Sequence, residues 1–180
     1  MKITFITGNL GKVEEVSRYL DFPVDHVKLD LPEVQSLDLE EIVRDKATRA
    51  FEILKKPVLV EDVSLVFHSL GKLPGPLVKW FEKELGHDGL CDMVKGENRS
   101  CTATVCYAFH DGENIQTFSG SMEGEVADFP RGDNSFGWGP IFVPKGMEKT
   151  YSELTKEEQN EISFRRKALE KLKEILIIKD

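Results

Sequence analysis

Ile3-Thr4-Phe5-Ile6-Thr7-Gly8-Asn9-Leu10-Gly11-Lys12-Val13 changes character at Gly8. Before it, a β-branched and aromatic run predicts a strand over Ile3–Thr7. After it, Val13, Val16 and Leu20 recur at helical spacing. A strand handing over to a helix through a glycine-containing turn is the opening unit of an α/β fold, and the next segments repeat the alternation. A short strand is expected over Val24–Leu29, then a helix from Asp38-Leu39-Glu40-Glu41 to about Leu54, stopping before Pro57. Val58-Leu59-Val60 is expected to be a short buried strand ending on Glu61-Asp62.

The second half changes pattern. Leu73-Pro74-Gly75-Pro76 predicts a rigid turn and Leu77–Leu85 a helix. Ala103, Val105, Tyr107 and Phe109 alternate, and Asp111-Gly112-Glu113-Asn114 closes an antiparallel hairpin. Thr155-Lys156-Glu157-Glu158 is a capping-box pattern opening a C-terminal helix whose core stripe is Ile162, Leu169, Leu172 and Leu176. The expected class is α/β, a long mixed sheet flanked by helices. With 180 residues, no repeat and no flexible linker, one domain over 1–180 is expected.

Composition narrows the function. A net charge of −8 argues against nucleic acid backbone or an anionic membrane as the main partner, while local basic clusters still allow a small anionic substrate. Three cysteines, at Cys91, Cys101 and Cys106, follow no metal spacing and cannot form a closed disulfide framework. The apolar part of the first residues is too short for a signal peptide or a membrane span, so a cytoplasmic location is expected.

Four groups of residues could carry chemistry. Thr7-Gly8-Asn9-Leu10-Gly11-Lys12 offers helix N-terminal N–H groups, a close approach and one cation, which suits a phosphate chain; a plain structural turn fits the spacing equally. It is not a P-loop, because Ile6 and Val13 occupy required Gly and Ser/Thr positions. Glu33, Glu61 and Asp62 could hold a hard cation such as magnesium, although Glu61-Asp62 alone reads as a solvated strand end. Lys46, Lys79, Arg165, Arg166 and Lys167 lie on predicted helices, each as readily a surface charge as a ligand. Ser135-Phe136-Gly137-Trp138-Gly139-Pro140 sets aromatic faces in a stiff loop, able to stack on a base or to plug the core. His26, His68, His87 and His110 are scattered and do not suggest zinc.

In this order the pieces resemble the inosine-triphosphatase (Ham1) family over nearly the whole chain. Thr7, Gly8, Asn9 and Lys12 match its opening signature; Asp30-Leu31-Pro32-Glu33, Lys46 and Glu61-Asp62 match its metal and triphosphate segments. Leu73-Pro74-Gly75-Pro76 with Lys79-Trp80-Phe81, Thr150–Leu154, and Ser163, Arg165 and Ala168-Leu169 complete it. The resemblance implies an elongated sheet in two lobes with a central cleft, a homodimer, and hydrolysis of a nucleoside triphosphate to monophosphate and pyrophosphate. It further implies magnesium, or manganese in its place, held by Glu33, Asp62 and Glu61. Asp62, Glu33 and Lys12 would be catalytic. Thr7, Gly8, Asn9, Lys12, Lys46, Lys79, Phe136, Gly137, Trp138, Gly139, Gln159, Phe164 and Arg165 would contact substrate.

The departures concentrate at three positions that read the purine in the family. Gly139 stands where the family has Asp, Phe164 where it has His, and Gln159 where it has Lys. Altered base selectivity, resting on stacking by Phe136 and by Phe164 or Trp138, is therefore expected. A purine-specific enzyme with replacement contacts from Asp133, Asn134 or Arg166 is another reading. The remaining alternative is a weak or inactive homologue acting as a nucleotide sensor or scaffold.

Overall fold

The computed structural model describes residues 3–132 and 137–179, with side chains up to Leu176. The expected alternation is present: β1 (Ile3–Ile6), α1 (Leu10–Leu20), β2 (Val24–Val27), α2 (Leu39–Leu54) and β3 (Val58–Phe67). Both β2 and β3 pair parallel with β1, in registers that set Ile6 opposite Val27 and Thr4 opposite Val58. Next come β4 (Pro74–Gly75), α3 (Val78–Asp92), β5 (Ser100–His110), β6 (Ile115–Val126), β7 (Phe142–Pro144), α4 (Lys156–Glu161) and α5 (Phe164–Lys179). The strands form one mixed sheet of order β2-β1-β3-β5-β6-β7, with β4 antiparallel to β3 and β7 antiparallel to β6.

The chain divides into two compact units. The first is Met1–Asp62, Val105–Gly120 and Arg165–Asp180; the second is Val63–Thr104 and Ser121–Phe164. In the first, Val43, Ala47 and Ala50 of α2 pack with Val58, Val60, Cys106 and Ala108 into a buried cluster. Small residues on that helix face let it approach the sheet, and the β-branched strand residues fill the pleat. The Asp111 carboxylate closes the β5–β6 turn by accepting from the N–H groups of Glu113 (2.9 Å) and Asn114 (2.7 Å). The three cysteines are free and buried, and burial pushes the thiols of Cys91 and Cys101 up to about 11 and about 12.

Several boundaries differ from the sequence reading, each for a local reason. β2 stops at Val27 rather than Leu29. β3 does not end on Glu61-Asp62 but continues to Phe67, because Val63–Phe67 keep the β-forming pattern and the two acids find cations. Pro74–Gly75 is not only a turn: Gly75 pairs with Leu65 and Pro74 with Val66. α3 runs on past Leu85 to Asp92, with a break at Gly86, whose φ of 67° suits a residue without Cβ. The Thr155/Glu158 capping box forms as expected, but its helix ends at Glu161 and α5 begins separately at Phe164. The two residues between are Ile162 and Ser163, a β-branched residue and a weak helix former.

Asp38 caps α2 by accepting from the N–H groups of Glu40 (2.9 Å) and Glu41 (3.4 Å). Asp38→Ala should cost about 1 kcal/mol, a fall in Tm of about 2–4 °C. Thermal unfolding of the purified variant checks this, and an unchanged Tm would remove the cap from the account of α2.

Candidate active site

The β1–α1 turn is built by its own short side chains. Thr7 Oγ1 accepts from the Asn9 N–H at 3.1 Å, and Asn9 Oδ1 accepts from the Lys12 N–H at 3.2 Å, capping α1. A Cβ at Gly8 would lie 3.1 Å from Cδ of Lys28, so the glycine admits the stem of that lysine. Lys28 is a cation that sequence reasoning missed: nothing local marks it, and only the parallel β1–β2 register brings it beside the turn.

The acids on β3 are neighbours, and successive strand residues face opposite ways. Each meets its own cations. Glu61 is buried and pairs with Lys12 and Arg165, whose Nη1 also lies 3.4 Å from the Tyr107 hydroxyl. Burial alone would raise the Glu61 pKa; Arg165 and Lys12 outweigh it and hold the carboxyl at about 2. Burial likewise pushes the Tyr107 hydroxyl up, reinforced by the Glu61 charge, and raises Glu15 beside Arg165.

Asp62 belongs to a second group. The Lys46 ammonium lies 2.9 Å from Asp62 Oδ2 and 2.7 Å from Glu33 Oε1. Burial would lower the Lys46 pKa, but Asp62 and Glu33 raise it above the usual lysine value. Two carboxylates from distant segments therefore already converge on one cation. Among the described residues no three His, Cys, Asp or Glu side chains group as a metal cage. Glu33 and Asp62 form a pair that could hold a hard cation, and a pair suits magnesium, which completes its shell with phosphate and water. The Glu61 carboxylate instead pairs with Lys12 and Arg165.

The second unit holds the segment expected to read the base. Trp138 packs edge-on to Phe142 (5.2 Å between ring centres), and lies 5.9 Å from Phe164 and 6.3 Å from Tyr151. Phe164 is only 3% exposed, so its ring fills this aromatic cluster rather than standing free to stack. Gln159 also differs from expectation: its amide donates to the carbonyls of Tyr151 (2.7 Å) and Leu154 (3.4 Å). Gly139 is buried, next to Ser152. His87 Nε2 donates to the Gly137 carbonyl at 2.8 Å, a tie that the scattered histidines did not suggest.

Arg165 pairs with Glu61, and Arg166 forms a surface pair with Glu170 at 2.7 Å. Lys79 is exposed on α3, 5.9 Å from the Trp80 ring. Phe136, Asp133 and Asn134 lie outside the described residues.

The chain is similar to known proteins over nearly its whole length. The model of the Ham1 family matches residues 3–175. Inosine triphosphate pyrophosphatase 2 of Trypanosoma cruzi is 45% identical over 177 residues, covering 96% of this chain and 90% of its own. The inosine triphosphate pyrophosphatase of Yarrowia lipolytica is 45% identical over 182 residues, covering 98% and 96%. Among solved structures, a HAM1 protein from Coxiella burnetii superposes with a TM-score of 0.85 at 26% identity, covering 98% of both chains. The Ham1 protein of Staphylococcus aureus gives 0.81 at 24% identity over the whole of both chains, a likeness of fold. This chain belongs to the Ham1 family.

Proposed function

We propose that this protein is a metal-dependent nucleoside-triphosphate pyrophosphohydrolase that removes unwanted nucleotides from the cytoplasmic pool, working as a homodimer. The observation that carries the reading is the convergence of Glu33 and Asp62 on one cation, within the unit that also holds the Thr7–Lys12 turn. Its two relatives named as inosine triphosphate pyrophosphatases support the reaction class.

In this reading the capped N-terminus of α1 and the cations Lys12 and Lys46 take the phosphate chain. Magnesium or manganese, held by Glu33 and Asp62, would neutralise phosphate charge and acidify bound water. Asp62 orients the attacking water and accepts its proton. The water oxygen bonds to the α-phosphorus as the bond to the bridging oxygen breaks, and pyrophosphate leaves with its negative charge facing the lysines. Lys46 keeps the two carboxylates compensated before substrate arrives. Glu61 is not a metal ligand here; it anchors Lys12 while Arg165 anchors Glu61.

Pyrophosphate release from a panel of ribo- and deoxyribonucleoside triphosphates with magnesium tests the reaction. Turnover of one or more is expected, and none would leave a nucleotide sensor or scaffold as the reading. Asp62→Asn keeps the shape and removes the charge, so kcat should fall by about a hundredfold or more. A folded variant that keeps most of its turnover would overturn the assignment.

Glu61→Gln tests the anchoring role through pH. The variant removes the counter-charge that Arg165 and Lys12 share, a cost of about 3–5 kcal/mol at neutral pH. The native carboxyl is depressed from 4.5 to about 2, so its contribution is complete above 4.5 and is lost as pH falls toward about 2. Urea unfolding of both proteins from pH 7 downward should show the stability gap narrowing over that window. A gap that stays constant would overturn the role.

A further inference from the structure

Both lysines that the reading above gives to the phosphate chain already face carboxylates. Lys12 pairs with Glu61, and Lys46 stands between Glu33 and Asp62. Arg165 shares Glu61 and lies 3.9 Å from Glu15. Three cations thus meet four carboxylates, and the group offers no surplus positive charge to an incoming polyanion. Lys28 is the exception: it is exposed, and among the described residues it pairs with no carboxylate.

The sheet fixes the place of Lys28. β2 runs parallel to β1 with Val27 opposite Ile6, and the Thr7 N–H donates to the Val27 carbonyl at 3.0 Å. Lys28 therefore leaves the sheet beside the Thr7-Gly8 turn, and its stem lies across Gly8. A Cβ added to Gly8 would come within 3.1 Å of Lys28 Cδ, 3.3 Å of Cγ and 3.5 Å of Cε, and the ammonium is one bond beyond Cε. Gly8 has no left-handed φ, so its missing side chain serves this close approach and not a backbone bend.

Strand order sets the direction of the site. β1 lies between β2 and β3, and its Phe5 pairs with Leu59, which brings Glu61 and Asp62 level with the same turn from the other side. Lys28 and these acids thus flank the turn, their backbones two strand spacings apart, about 10 Å. All of these residues belong to the first unit.

Resting on the reading above, in which Glu33 and Asp62 hold the metal at the scissile phosphate, we propose that Lys28 is a further substrate-binding residue, which takes the terminal phosphate. A chain with its α-phosphate at the acids and its length across the α1 N-terminus reaches Lys28 with its far end. The outermost phosphate carries the most negative charge and departs within the pyrophosphate, so an ammonium free of carboxylates is best used there. A monophosphate stays on the β3 side and does not meet Lys28. The residue therefore selects by the length of the phosphate chain and is blind to the base.

The test uses Lys28→Met, Lys28→Arg, Gly8→Ala and the Gly8→Ala/Lys28→Met pair. Calorimetric Kd is measured with magnesium for inosine triphosphate, inosine monophosphate and inorganic pyrophosphate, alongside kcat and KM for each nucleotide turned over. Lys28→Met should weaken the triphosphate and pyrophosphate by about tenfold and leave the monophosphate as it was. Lys28→Arg should keep most of the affinity. Every accepted nucleotide should lose kcat/KM by the same factor, mostly through KM. Gly8→Ala should weaken triphosphate binding in the native chain and do so less in Lys28→Met, because its Cβ displaces the same stem. A Lys28→Met protein with native Kd values overturns the assignment and leaves the enzymatic reading standing. Equal weakening of monophosphate and triphosphate overturns the terminal position, and equal effects of Gly8→Ala in both backgrounds overturn the positioning by Gly8. If the native protein binds the triphosphate without turnover, the enzymatic reading fails while the Kd values still decide this one; binding of neither triphosphate nor pyrophosphate overturns both.

Discussion

Burying a carboxylate in the middle of a strand is unfavourable unless a cation is delivered to it, and most of the first unit can be understood as that delivery. Glu61 is 9% exposed. Its two cations come from opposite ends of the chain: Lys12 from the first turn of α1, and Arg165 from α5, 104 residues away. Neither pairing forms unless both helices dock on the sheet. The ion cluster therefore links the opening strand–helix unit to the last helix through the strand that also carries Asp62. Buried pairs of this kind add little net stability against a hydrophobic equivalent, but losing one partner is severe. Their value here is positional, because they fix Lys12 at the first turn of α1.

Asp62 shows the complementary arrangement. Being next to Glu61 on the strand, it meets a separate cation, Lys46, that it shares with the more exposed Glu33. One group is closed. The other has 56% of the Glu33 side chain accessible to solvent. A buried acid and a more open one thus stand side by side, distinguished by their partners and not by residue type.

This difference also marks what the sequence could and could not convey. The β1–α1 unit, α2 with its Asp38 cap, the β5–β6 hairpin and the Thr155 capping box were legible because their signals are local: a change of period, a cap, an Asx turn. The true length of β3 was not, since Glu61-Asp62 looks like the end of a strand until Lys12, Arg165 and Lys46 are placed beside it. For the same reason the pairing of Glu61 with Arg165 left no trace in the sequence, since the two lie 104 residues apart. Glu33, Asp62 and Lys46 converge as the resemblance implied.

The two units consequently differ in how freely they can be altered. A change at Glu61 removes the counter-charge shared by Lys12 and the largely buried Arg165, and no neighbouring substitution restores it without adding a new charge. Around Gly139 the interactions are neutral and mostly local: a hydroxyl, an amide reaching a carbonyl eight residues away, and packed rings. A side chain removed there is compensated by one added nearby at a cost of packing alone. The Glu61 cluster is thereby constrained by electrostatics, while the surroundings of Gly139 are constrained by volume. A substitution around Gly139 leaves the Glu61 cluster undisturbed, because the two depend on different physical interactions in different parts of the chain.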